Sequence, residues 1–371
     1  MPKIRVLIVD DAVVIRRLLS DSLSSDPDIE IAGTAASGTI ALSKIPQLNP
    51  DLITLDIEMP GLSGLETLAK IRASYPKLPV IMFSTLTERG GAATLEALAL
   101  GASDYATKPS GVGSMAAALR VVSESLAPKI KTLCGHPAGA AWTSTPSPAR
   151  QATCIRLPTH DRGQKPLDVL AIGVSTGGPN ALAEVTSRLP RDFPIPILIV
   201  QHMPPTFTRL LAERLDKNCP LTVREAQGGE TPSSGEIWIA PGDRHLVVEG
   251  TPGWPRLSTN EEPPENSCRP AVDVLFRSVA GVYGDRALAL VLTGMGQDGL
   301  RGAEAIHNAG GKTVVQDEAT SVVWGMPGFV ENAGLADAVL PLNQIAPALI
   351  RRAQAHRNRP HLPTRASAGG T

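Results

Sequence analysis

The residue best placed for chemistry is Ser175. The stretch VLAIGVSTGGPNAL, residues 169–182, ends an apolar run at Gly173, sets Ser175 among small residues and then takes up a helix-like pattern. GVSTG fits G-x-S-x-G between a strand and a helix, the setting that lifts a serine hydroxyl clear of a sheet. Glycine permits the tight turn, and the helix start supplies N–H groups that could stabilise an oxyanion. The same pattern also describes a helix cap or a packing loop. A nucleophilic serine needs a base. PILIVQHMPP puts His202 at the end of the next apolar strand, and GDRHL offers His245 as a competitor. His202 is favoured, because successive parallel strands usually lie side by side with their C-terminal ends on one edge. A base needs an orienting carboxylate. ALALVLTGMGQDGLRGAEAI offers Asp298 in a glycine-rich loop after a strand, while Asp273 in RPAVDVLF falls within a helical pattern and is the weaker choice.

That glycine-rich loop admits a rival chemistry. Gly294, Gly296 and Gly299 spell G-x-G-x-x-G, and Asp317 follows the next strand, which is the dinucleotide-binding pattern with its acidic residue. Asp298 argues against it. It puts a carboxylate where a pyrophosphate would have to rest on the helix N-terminus.

A second group of chemical residues lies near the N-terminus. Asp10 and Asp11 follow VLIV, and Asp56 ends DLITLD. In an open parallel sheet these strand ends converge. Three carboxylates there repel one another unless a cation joins them, and a hard divalent ion such as Mg²⁺ fits. Ser84 and Lys108 end two further strands on the same edge. A hydroxyl and an ammonium beside a metal suit a phosphoryl group.

The elements that must position these residues fall into two α/β patterns. Residues 1–126 alternate helical stretches with apolar runs at 4–9, 29–35, 51–56, 79–84 and 104–108, as expected of a parallel sheet buried on both faces. Residues 127–166 are rich in Pro, Ser, Thr and Gly without periodicity and read as a linker. Residues 167–355 carry a second pattern, with strands expected at 168–174, 196–201, 236–240, 245–249, 287–293, 312–316 and 337–340. WIAPGDRHLVVE reads as a hairpin turning at Pro241-Gly242-Asp243. The polar tail, 356–371, is expected to be disordered.

Composition narrows the function. The net charge of −1 over 371 residues gives no global field for nucleic acid or membrane. Four cysteines, Cys134, Cys154, Cys219 and Cys268, show no CxxC spacing, so neither a zinc site nor a disulfide framework is indicated. MPKIRVLIVDD is too short an apolar run for a signal peptide, and no run is long enough to span a bilayer, so a cytoplasmic protein that does not itself cross a membrane is expected.

LIVDDAVVIRRLL, DLITLDIEMPGLSGLE and GASDYATKP resemble a response-regulator receiver domain. The resemblance implies a flavodoxin-like five-stranded parallel sheet. It implies Asp56 as phosphoacceptor, Asp10 and Asp11 as Mg²⁺ ligands with a backbone carbonyl from Glu58, and Lys108 as a partner of the phosphate. Ser84 and Tyr105 would be the switch residues, and the Lys108–Pro109 bond would be cis. IGVSTGGP, VQHMPPTFT, IAPGDRHL, RPAVDVLF, LTGMGQDGLRGA and VVWGMPG resemble the catalytic domain of the chemotaxis protein-glutamate methylesterases, the CheB family. This implies a doubly wound, mainly parallel α/β domain with Ser175 as nucleophile, His202 as base and Asp298 as orienting acid. The Met295 backbone would help form an oxyanion hole and Thr176 would line the site. Val174 departs from the family's frequent alanine. The implied activity is a phosphorylation-activated serine hydrolase that demethylates receptor glutamates and deamidates receptor glutamines, with no cofactor for the esterase reaction. Its implied partners are methyl-accepting chemoreceptors and a chemotaxis histidine kinase, with the unphosphorylated receiver packed over the catalytic face.

Overall fold

The computed structural model describes residues 2–109, 114–135 and 166–354. The first unit contains strands β1 (Ile4–Val9), β2 (Ile29–Ala35), β3 (Leu52–Asp56), β4 (Val80–Ser84) and β5 (Asp104–Thr107). Helices α1 (Val13–Ser24), α2 (Gly38–Leu48), α3 (Gly64–Ser74), α4 (Glu88–Ala99) and α5 (Met115–Leu133) connect or follow them. The sheet order is β2-β1-β3-β4-β5, with every pairing parallel. β3 and β4 are buried along their whole length. That is why they read as near-continuous apolar runs rather than alternating ones. The chain reverses direction across the sheet beside β1, so the ends of β1 and β3 flank the crevice where ligands of such sheets bind.

The second unit contains β6 (Val169–Val174), α6 (Gly178–Thr186), β7 (Ile197–Gln201), α7 (Phe207–Asn218), β8 (Thr222–Glu225) and β9 (Glu236–Ile239). It continues with β10 (His245–Thr251), β11 (Trp254–Asn260), α8 (Val272–Tyr283), β12 (Ala287–Val291), α9 (Leu300–Asn308), β13 (Lys312–Gln316), α10 (Met326–Asn332), β14 (Ala338–Leu340) and α11 (Leu342–Gln354). Seven strands form a parallel sheet in the order β14-β13-β12-β6-β7-β9-β8. β6 is the switch point: β7 lies on one side and β12 on the other. The loops leaving these three strands therefore share one crevice.

Three expectations are corrected. The segment WIAPGDRHLVVE is not a hairpin. β9 is inserted parallel to β7 and β8, while β10 pairs antiparallel with β11, closing between Thr251 and Trp254. β9 is mostly buried and belongs to the central layer, so its neighbours are set by packing rather than by the nearest turn. Pro241-Gly242-Asp243 instead bridges elements, with the Gly242 N–H donating to Thr208 Oγ1 at 3.0 Å and the Asp243 N–H to the Arg269 carbonyl at 3.1 Å. Secondly, the boundary at 126 falls inside α5, which runs through Pro128 to Leu133. Thirdly, the cis proline bond among the described residues is Arg269–Pro270 and not Lys108–Pro109; Lys108 reaches both of its carboxylates without it. Most of the linker and all of the tail lie outside the described residues. Among those residues no helix is long and apolar enough to cross a membrane.

The two units pack together. α4 lies against α6 and α7. Apolar contact runs unbroken from Leu95, Leu98 and Tyr105 of the first unit to Phe207 and Leu211 of the second. The Tyr105 and Phe207 rings stack with centroids 5.2 Å apart. Polar contacts rim this seam: Asn180 Nδ2 donates to the Leu98 carbonyl at 2.7 Å, Arg209 pairs with Glu88, and Arg214 donates to the Leu95 carbonyl.

Candidate active site

Ser175 follows β6 directly, and its N–H donates to the Thr293 carbonyl at 3.0 Å, tying the turn to the loop after β12. Gly177, at φ +77°, turns the chain into α6 in the left-handed region that favours glycine. A side chain at Gly294 would come within 2.9 Å of Ser175 Cβ, so the two turns approach as closely as only glycine allows. Gln201 Nε2 donates to the Ser175 carbonyl at 3.0 Å and braces the turn from β7. The Ser175 side chain is partly exposed, while Thr176 is buried.

His202 follows β7, and its Nε2–H donates to Asp298 Oδ2 at 2.7 Å. Asp298 is the better anchored of the two candidate acids. Its Oδ2 also accepts the Val272 N–H at 2.7 Å, and its Oδ1 accepts the N–H groups of Asp273 at 3.0 Å and Gly299 at 3.1 Å. Asn266 Nδ2 adds a further donor at 3.1 Å. Burial raises the Asp298 carboxyl, but His202 and the α8 N-terminal N–H groups outweigh it and hold the group below the ordinary carboxylate range. Burial likewise lowers His202, yet Asp298 and Cys268 push it up to about 10. Asp298 thus holds the Nε2–H, so when the ring gives up its second proton it is Nδ1 that becomes the base.

The rival residues have other tasks. His245 is fully buried, with Nε2 on the Pro263 carbonyl at 3.2 Å and Nδ1 taking the Ala271 N–H at 3.2 Å. Both its nitrogens serve the fold. Asp273 Oδ1 accepts the N–H groups of Gly299 at 2.9 Å and Gly302 at 2.6 Å and so caps α9. A helix N-terminus already capped by one carboxylate and flanked by a second repels a pyrophosphate, which argues against the dinucleotide reading. Asp317 is occupied in its own loop, accepting from Thr320.

The three residues meet incompletely. Ser175 and His202 line one small cavity, but no hydrogen bond joins them. His202 Nδ1 instead lies 3.6 Å from Cys268 Sγ. The cavity holds only about 20 Å³ and is roofed by Leu98, Asp104, Tyr105 and Lys129 of the first unit. Thr176 Oγ1 donates to Asp104 Oδ2 at 2.9 Å, and Lys129 Nζ reaches the same oxygen at 2.8 Å. The Met295 sulfur accepts from Thr132 Oγ1 of α5 at 3.3 Å. Sequence reasoning missed Asp104, Gln201, Asn266 and Cys268. Asn266 and Ser267 both sit at positive φ, and only the tendency of asparagine toward that region hints at such a turn.

In the first unit, ligand atoms of Asp10, Asp11 and Asp56 lie within 4.8 Å of one another. Lys108 Nζ sits 2.8 Å from Asp56 Oδ1 and 3.1 Å from Asp10 Oδ2. Asp56 Oδ2 is buried without a hydrogen-bond partner. An orphaned carboxylate oxygen inside a three-acid cluster fits a hard divalent cation. Burial, then the Asp10 charge, pushes the Asp56 carboxyl up to about 6 against the pull of Lys108. Burial lowers Lys108, but Asp56 and Asp10 outweigh it and raise the ammonium above its usual range. The Glu58 side chain stands apart, 3.7 Å from Arg89, while its N–H reaches Asp56 Oδ1 at 3.4 Å. Ser84 Oγ donates to the Gly90 carbonyl at 3.1 Å, and Tyr105 is buried against Phe207.

The fold and its two strand-end clusters define a response regulator with an α/β effector unit of hydrolase-like layout. Family models match accordingly: "Response regulator receiver domain" over residues 6–120 and "CheB methylesterase" over residues 170–349. A protein-glutamate methylesterase/protein-glutamine glutaminase of Trichodesmium erythraeum is 53% identical, covering 95% of this chain and 99% of that protein. One from Nocardioides is 51% identical, covering 98% of each. The CheB methylesterase catalytic domain of Thermotoga maritima is 43% identical with a TM-score of 0.49, covering 50% of this chain and 98% of that one. The chain belongs to the CheB methylesterase family.

Proposed function

We propose that this protein hydrolyses glutamate methyl esters on chemoreceptors, deamidates receptor glutamines by the same route, and is gated by phosphorylation of Asp56. The observation that carries this reading is the His202–Asp298 pair beside Ser175 at the ends of three adjacent strands, under a roof made by the receiver. Ser175 attacks the ester carbonyl. His202 Nδ1 takes the hydroxyl proton and passes it to departing methanol. Asp298 holds the imidazole and balances its charge. Water then attacks the acyl-enzyme by the same base and frees the glutamate. On an amide the leaving group is ammonia. Thr176 lines the site, and the Met295 backbone, in the loop after β12, is the donor assigned to the oxyanion.

The gate follows from size. Ligand sites usually span about 300–1,000 Å³, and the roofed cavity, about 20 Å³, admits a single water. No receptor side chain reaches Ser175 while Asp104 and Tyr105 lie over Thr176 and Phe207. Asp10, Asp11 and Asp56, with the Glu58 carbonyl, would hold Mg²⁺, which supplies charge neutralisation for phosphoryl transfer from a histidine kinase. Lys108 pairs with the acceptor carboxylate. Ser84 and Tyr105 relay the change, as the hydroxyl leaves Gly90 for the phosphoryl group and the ring leaves Phe207. The place of action is the cytoplasm, where the free thiols of Cys219 and Cys268 are at home.

The test is methanol release from methylated receptor membranes, with and without a small-molecule phosphodonor and Mg²⁺. Release that rises with phosphodonor and vanishes in Ser175→Ala is expected. Substantial turnover by Ser175→Ala removes the assignment.

A further inference from the structure

The contact between His202 and Cys268 belongs neither to the esterase mechanism nor to the gate. We infer that His202 Nδ1 and Cys268 Sγ form a binding site for a soft divalent cation of the Zn²⁺ class, and that its occupancy switches the esterase off by taking the base's lone pair.

The geometry suits such an ion. Zinc binds imidazole nitrogen at about 2.0 Å and thiolate sulfur at about 2.3 Å in tetrahedral array, which sets the two ligand atoms about 3.5 Å apart. Sγ and Nδ1 are 3.6 Å apart, so the ion enters with no rearrangement of either side chain. The surroundings match as well. Metal-bound histidines usually donate their other ring N–H to a carboxylate, which orients the ring and raises its basicity. His202 Nε2–H does so to Asp298 at 2.7 Å. The Asp298 oxygens already accept from Val272, Asp273, Gly299 and Asn266. It therefore supports the site from behind rather than ligating. Cys268 is held firmly, as its N–H donates to the Glu265 carbonyl at 2.8 Å and its carbonyl accepts from the Glu265 N–H at 3.1 Å.

Access is independent of the receiver. His202 and Cys268 line a second hollow of about 400 Å³, shared with Met203, Asp243, Ser267 and Arg269 and, among the described residues, with none of the first unit. Its one guanidinium, on Arg269, is neutralised by Asp243, Oδ1 to Nη2 being 2.6 Å. Water from this hollow completes the coordination. Ligation replaces the Cys268 S–H bond, and the Nδ1–H bond of His202 where the ring is charged, with bonds to the ion, and the protons leave to solvent. The binding half of the inference stands on these distances alone; the inhibitory half rests on His202 being the base.

The test uses the full-length, metal-free protein and Co²⁺ as a spectroscopic stand-in for Zn²⁺. One equivalent of Co²⁺ should raise a thiolate-to-cobalt charge-transfer band that Cys134→Ser keeps and that Cys268→Ser and His202→Gln lose or weaken. Zn²⁺ should lower Ser175-dependent methanol release by about tenfold or more in the wild type, reversibly with chelator. Each variant is compared with its own zinc-free rate, and Cys268→Ser should be far less sensitive. No band in the wild type, or a full band in Cys268→Ser, overturns the site. A Cys268-dependent band with methanol release unaffected keeps the site, overturns the inhibition and removes His202 as the base.

Discussion

Replacing Asp104 with alanine in the full-length, unphosphorylated protein should raise its basal esterase rate. In the closed arrangement the buried Thr176 hydroxyl has Asp104 Oδ2 as its acceptor at 2.9 Å. Removing that carboxylate leaves Thr176 Oγ1 without this partner under the roof, and opening returns the hydroxyl to water. An orphaned buried polar group costs about 1–3 kcal/mol. All of it falls on the closed state, so the open fraction should rise about 5- to 140-fold at about 1.4 kcal/mol per decade. Lys129 keeps a second acceptor, the Tyr105 carbonyl at 2.8 Å, and the Tyr105 N–H loses Asp104 Oδ1 within the receiver itself, in the open and closed states alike. The assay is methanol release without phosphodonor, wild type against Asp104→Ala, with thermal melts to show that both are folded. The phosphodonor response should shrink by the same factor, because a gate already open has less left to release. An unchanged basal rate in a folded variant would refute the argument that this contact holds the receiver over Ser175.

Further outcomes follow from the same geometry. Asp298→Asn offers one acceptor where the aspartate offers two, so an amide N–H must face either the His202 ring or the N–H groups of Asp273 and Gly299. It should cost about 3–5 kcal/mol in a urea melt and about 10⁴-fold in turnover; a melt within error of wild type would contradict the anchoring described. Because the folded His202 value, about 10, lies above the ordinary value of about 6.5, the stability it contributes is complete below about pH 6.5 and declines as pH rises through about 10. Denaturant midpoints across that interval should fall in the wild type and flatten in His202→Gln, and esterase activity should climb as Nδ1 is freed. Gly294→Ala places a methyl 2.3 Å from Met326 Sδ and 2.9 Å from Ser175 Cβ. The thioether can swing aside and the serine backbone cannot, so turnover should drop about 100-fold for about 1–3 kcal/mol of stability.

Much of this was legible in the chain. The near-continuous apolar runs of β1, β3, β4, β6 and β12 announce parallel strands buried on both faces, because their pattern is local. Gly177 and Gly294 mark turns that a side chain would obstruct. Ser175, His202 and Asp298 each follow a strand closely, and strand ends in such sheets share an edge. The hairpin expected at Pro241-Gly242-Asp243 failed for the complementary reason. A buried strand carries no mark of which neighbour it pairs with, and β9 lies beside β7 because the sheet extends in that direction.

The sequence by itself determined the element types, the two acid-bearing strand ends of the receiver and the candidates for nucleophile, base and acid. Those signals lie in contiguous residues whose spacing follows the helix or strand period. The sequence already favoured His202 over His245 and Asp298 over Asp273, but only the tertiary structure shows that both nitrogens of His245 and Oδ1 of Asp273 are taken by distant backbone groups. Tertiary structure alone brought Asp104 onto Thr176, 72 positions away, and Cys268 onto His202, 66 positions away. Contacts of that range arise only when separate elements pack, and no local pattern in the chain encodes them.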